Sequence, residues 1–104
     1  LTPAMRQCYL DMIILGLRDL KSGGLIPIAN PYMEFWLGDG SLLCQTQPSN
    51  RPHAQNPNYC LHVREPIELP VDVTFAPCLN VIVKDRRLGG LAKVLLGACI
   101  LRAI

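Results

Sequence analysis

The strongest constraint on this chain is its punctuation. Nine prolines and eight glycines cut it into apolar runs too short for long helices, and the turn signals recur too quickly to leave room for them. The run "CLNVIVKD" (78 to 85) alternates, with Leu79, Val81 and Val83 on one face and Asn80, Ile82 and Lys84 on the other. That two-residue period belongs to a strand. "YMEFWLG" reads as another strand, and "SLLCQTQ" (41 to 47) as its partner across a hairpin-like Gly-Asp-Gly. "YCLHVREPIEL" alternates at its start and then meets Pro66 and Pro70, while "KVLLGACIL" (93 to 101) reads as a last buried strand.

"CYLDMIILGLRDL" (8 to 20) is less clear, because Leu10, Ile13, Ile14 and Leu17 also fit a helical period. The β-branched pair and the Lys-Ser-Gly-Gly that follows favour a strand. Between residues 48 and 58, three prolines and three asparagines mark a loop. Six short strands joined by Gly/Pro loops predict an all-β, antiparallel β-sandwich. With 104 residues, half of them apolar, one small domain with one modest core is expected.

Composition narrows function by exclusion. Ten Lys/Arg against eight Asp/Glu give a net charge of +2, too mild to argue for nucleic acid. The longest uncharged apolar runs, "MIILGL" and "VLLGACIL", fall far short of the ~20 residues of a membrane span. No basic start leads into an apolar block, as a signal peptide would need. Five cysteines without any Cys-x-x-Cys pair point to a reducing compartment. The start at Leu1 and the apolar end "ILRAI" give the expectation of a piece excised from a longer chain.

One loop is unusual. "SGGLIPIANPY" carries Leu25, Ile26 and Ile28 where a solvated loop normally holds Ser, Asp or Lys. These aliphatics either fold back onto the sandwich end or a neighbouring domain, contact lipid, or meet a partner protein. Elsewhere the chemistry-bearing residues are sparse. Cys60 and His62 lack two further metal ligands and any orienting third group for a nucleophile. His53 is expected in solvent, and Trp36 in the core or at its rim with a partner for its indole N–H. "KDRR" reads as a solvated loop rather than a phosphate site. No set of positioned acid and base groups points to an enzyme.

In order, "GLRDLKSGG", "NPYMEFWLG", "HAQNPNY", "LNVIVKDRRLGG" and "VLLGACIL" resemble the landmarks of a C2 domain. "NPNY" followed by the Pro-punctuated "REPIELPVDVTFAPCLNVIVKDRR" is most similar to the central C2 domains of ferlins, large multi-C2 proteins with one membrane span near the C-terminus. The resemblance covers roughly residues 8 to 101. It implies one C2-like domain over 1–104, with about six of eight strands represented.

The resemblance further implies a parent that tethers and fuses vesicles at the cytosolic face of membranes, anchored by a span outside this segment. Its partners would be neighbouring C2 domains of the same chain, with an anionic phospholipid membrane as the alternative, and no nucleic acid. Calcium-binding C2 domains supply carboxylates from loops one and three. Here those positions carry over to Gly24, Asn30, Asp85, Arg87 and Lys93 (or Ala92), so one carboxylate of about five remains and cations stand among the rest. Ca²⁺ takes about 6–8 oxygen ligands, so no calcium and no other cofactor is expected. Asn30 is then a fold residue, capping the turn before Pro31. The same resemblance brings Leu25, Ile26 and Ile28 near Leu88 and Leu91 at one end of the sandwich, with Arg86, Arg87 and Lys93 around them. That set is the expected contact surface for a membrane or a partner.

Overall fold

The computed structural model describes residues 4–22, 24–71, 78–87, 90 and 92–102. Among them are seven strands: β1 Met5–Gly16, β2 Pro31–Leu37, β3 Leu42–Gln45, β4 Pro52–His53, β5 Asn56–Pro70, β6 Cys78–Arg87 and β7 Ala92–Arg102. They form two antiparallel sheets, ordered β1-β5-β4 and β3-β2-β6-β7. The expected antiparallel β-sandwich is therefore the observed fold. Residues 8 to 20 are extended through Gly16 rather than helical, and pair with β5 from Met5↔Pro70 to Gly16↔Asn58.

Alternation along the strands builds the core. Met33 and Phe35 of β2 face Val81 and Val83 of β6 on one sheet, and Ile14 of β1 closes on them from the other. Met12, Val63 and Tyr59 extend the contact on the three-stranded side, and Leu43, Leu79 and Leu96 on the four-stranded side. The register Met33↔Val83 and Phe35↔Val81 places the expected apolar face of "CLNVIVKD" inward. A shift of one residue would turn that whole face to solvent, which is why a one-sided apolar pattern fixes register.

Two expectations change, and the run that meets Pro66 continues past it. The loop at 48–58 contains a small hairpin, because Pro52 pairs with Pro57 and His53 with Asn56; His53 itself is exposed. Pro66 does not end its strand: it pairs with Tyr9 inside β5, where β5 has a neighbour on one side only and a proline nitrogen can face the free edge. β7 is not buried. Leu95, Ile100 and Leu101 are exposed on the outer strand of the wider sheet, and of its large aliphatics Leu96 packs against the core.

Trp36 is half-buried, on the side of β2 turned away from Phe35. Its indole N–H donates to Glu34 Oε1 at 3.2 Å, and Lys84 Nζ lies 3.0 Å from the same carboxylate oxygen. The lone acidic residue in "YMEFWL" is thus buried with two donors supplied, as a buried carboxylate requires. Gly38-Asp39-Gly40 makes the β2–β3 hairpin: Asp39 Oδ1 accepts from the Ser41 amide and hydroxyl. Those bonds hold the Asp39 carboxyl below its ordinary range.

Candidate functional site: the loop end of the sandwich

The segment leaving β1 is pinned by the turn before Tyr59. Leu17 N–H donates to Pro57 O, Leu20 N–H to Gln55 O, and Asp19 N–H to Asn56 Oδ1, each at 2.9 Å. Arg18 adds a 2.8 Å bond to Asn58 Oδ1. Gly16 is required here for space, since a Cβ would come within 2.5 Å of Pro57 O. Tyr59 donates its hydroxyl to Pro31 O at 2.6 Å, and its burial pushes the phenol up to about 12. The Asn-Pro-Asn-Tyr run is therefore a staple between the β1 exit and the start of β2. The sequence marked that run as a turn without showing what it ties together.

Beyond the staple the chain folds over the open end of the sandwich. Ser22 Oγ donates to Ile26 O at 2.6 Å and accepts from the Gly24 amide, curling the loop on itself. The chain then meets the end of β6. Asp85 lies opposite Pro31 in register on the inward side of β6, and is 0% exposed. Its Oδ1 accepts from the Asn30 amide at 2.7 Å, and the Ala29 amide is shared between both carboxylate oxygens at 3.2 Å. Arg87 Nε donates to Oδ2 at 2.7 Å. Arg86 N–H closes onto Asn30 O, and Arg87 Nη2 reaches Ile26 O at 3.5 Å.

A buried carboxylate with two amides and a guanidinium around it is fully committed. Charge-assisted bonds of this kind are roughly twice as strong as neutral ones. The arrangement makes the loop end a rigid part of the fold: an anion at the sandwich end, its cation supplied two residues along, and the crossing backbone tied to it.

Of the five loop positions carried over in sequence, Asn30, Asp85 and Arg87 come together in this knot. Asn30 contributes mainly through its backbone. Its side chain reaches Arg86 O at 3.5 Å and Asn50 Nδ2 at 3.4 Å, linking neighbouring segments rather than capping its own turn. Gly24 is exposed on the curled loop. Lys93 pairs in register with Arg86 on the opposite side of the sheet from Asp85, outside the knot. Among the described residues no group of three or more His, Cys, Asp or Glu side chains converges as a metal set.

The expected contact surface divides. Leu25 is fully exposed and Ile26 is 61% exposed, so the loop presents two aliphatics to its surroundings. Ile28 is corrected: at 7% exposure it plugs the sandwich end beside the Asp85 knot and offers no contact area. Arg86 and Lys93 are exposed, whereas Arg87 is mostly withdrawn into its pair with Asp85. Leu88 and Leu91 lie outside the described residues. Cys60 and His62 do not act together: Cys60 takes a left-handed backbone (φ 46°) at the irregular end of the β1–β5 pairing, and His62 Nε2 lies 3.2 Å from Asp11. No protein-family model matches the chain, and a search of curated proteins finds no match either.

Proposed function

We propose that this chain is a C2-type module of a ferlin-like membrane-trafficking protein, acting without calcium in a structural or docking role and not as an enzyme. The observation that carries this reading is the Asp85 knot. Asp85 is completely buried and bonded to two backbone amides and to Arg87. A calcium ion would have to displace a guanidinium already 2.7 Å from the carboxylate and would gain no other carboxylate from Gly24, Asn30 or Lys93. The parent protein would tether vesicles to target membranes at their cytosolic face, with its span outside this segment. Sibling C2 domains are the natural partners.

A second reading has its own support. Leu25 and Ile26 project from the loop end, and Arg86 and Lys93 are exposed cations. Apolar tips with basic neighbours suit an anionic phospholipid surface, where each basic side chain contributes about 1 kcal/mol. Co-sedimentation with phosphatidylserine-containing vesicles, in calcium and in EGTA, separates the two. Docking to protein alone predicts no pelleting in either buffer. Lipid contact predicts equal pelleting in both, lost in a Leu25→Asp/Ile26→Asp variant. Pelleting that requires calcium would overturn both readings.

A further inference from the structure

The edge of a sheet carries backbone N–H and C=O groups that no neighbour takes up, and folded proteins guard such edges with charges, prolines or short strands. Three of the edges here are guarded. β3 is only four residues long. β1 carries Arg6 and Asp11. β5, beyond its short pairing with β4, carries Arg64, Glu65, Pro66 and Glu68. β7 is the exception. Its 11 residues hold no proline, and no charge from Val94 to Leu101. Among the described residues no strand pairs with its far side. A bulge near Leu96 twists this edge without charging or shortening it.

The exposed side chains of β7 are apolar on both faces. Leu95 and Ile100 stand opposite Lys84 and Asn80 on the outer face, and Leu101 stands opposite the core-facing Leu79. On the outer face a groove of about 550 Å³ begins beside them, lined by Trp36, Asn80, Ile82, Ala98 and Ile100 among others. Ala98 is opposite Ile82 in register, and its single methyl leaves the way open from the free edge into the groove.

The charges argue against a second copy of this chain as the occupant. Aligning two uncharged β7 runs antiparallel would set cation against cation at both ends, Lys93 at one and Arg102 at the other. Like charges directly opposite one another destabilise a sheet. Lys93 already faces Arg86 across the β6–β7 ladder, and among the described residues neither has a carboxylate partner. A strand that brings its own carboxylate to this end is the complementary one.

We propose that the free edge of β7 receives an extended segment of another protein as a fifth strand of the wider sheet, with an acidic residue against Lys93 and a large apolar side chain in the Trp36–Ile100 groove. In such strand addition the backbone bonds supply affinity and the side-chain pockets supply specificity. Strands lie about 4.8 Å apart, so a phenylalanine on the added strand can lean across Ala98 toward Ile82. The inference goes beyond the docking reading and is independent of any membrane role.

The test is a titration with a capped peptide of alternating valine and threonine, carrying a central phenylalanine and a glutamate at each end. Trp36 is the chain's single tryptophan, so its emission reports on the groove. A saturable blue shift is expected, with slower hydrogen exchange at the β7 amides that face away from β6. Ile100→Lys is expected to abolish both and to leave the urea midpoint close to the parent's, because Ile100 is exposed. Lys93→Glu is expected to weaken binding of this peptide roughly three- to tenfold and to favour a lysine-ended version instead. No saturable shift would overturn the proposal, as would equal binding of the two peptides by the parent and by Lys93→Glu. A dimer that forms at micromolar concentration and is lost in Ile100→Lys would also overturn it, assigning the edge to a second copy.

Discussion

Asp85→Ala is expected to lower the stability of the fold by about 3–5 kcal/mol, the cost of breaking a buried charge pair from one side. The alanine removes the acceptor for the Ala29 and Asn30 amides and leaves the Arg87 guanidinium beside an apolar void. Small domains hold about 5–15 kcal/mol in all, so much of the folded population is at stake. Urea denaturation would show the loss as a lower midpoint with an unchanged slope. Arg87→Ala should cost less, because Arg87 keeps some exposure and the carboxylate retains its two amide donors. An Asp85→Ala/Arg87→Ala double variant should cost less than the sum of the two, since neither ion is then left stranded. Additive losses would mean that the pair contributes nothing beyond its separate contacts.

Phe35→Ala is expected to cost a similar amount, about 3–5 kcal/mol, by a different route. Phe35 is 3% exposed at the centre of the core cluster, between Val81 of its own sheet and Ile14 from the other. Both flanking strands are held in ladders, with Phe35 opposite Val81 and Cys44, so the cavity cannot close by local collapse. The loss should appear in urea as a lower midpoint with an unchanged slope. A loss below about 1 kcal/mol would instead mean that the neighbouring side chains repack into the space Phe35 leaves.

These two residues also show what was legible in the sequence. Phe35 and its partners Val81 and Val83 follow from two-residue alternation, which reports burial directly because one side of a strand faces the core. The short punctuated runs likewise announce strands, and the structure keeps them nearly where the runs lie. What alternation does not reveal is which strand ends at a sheet's margin. "KVLLGACIL" is as apolar as a core strand, yet β7 is an outer strand with Ile100 exposed.

The loop end was legible in part. Asp85 stands out as the one carboxylate among loop positions that otherwise carry Gly, Asn, Arg and Lys, which is enough to expect a poor cation site. Its full burial and its pairing with Arg87 depend on β6 carrying both residues on its inward side past the end of the core. Ile28 illustrates the same limit: three aliphatics in a loop look alike in sequence, and only the path of the chain over the sandwich end turns one inward and leaves Leu25 and Ile26 outside.

In the proposed calcium-independent role, the protein's own Arg87 takes the place at Asp85 that a metal cation would otherwise hold. The most direct measurement is a calcium titration followed by the backbone amide resonances of Ala29, Asn30, Asp85 and Arg87. These four signals are expected to stay where they are from EGTA through millimolar calcium. A saturable shift of the Ala29 and Asn30 amides, with calcium drawing Asp85 away from them, would contradict it.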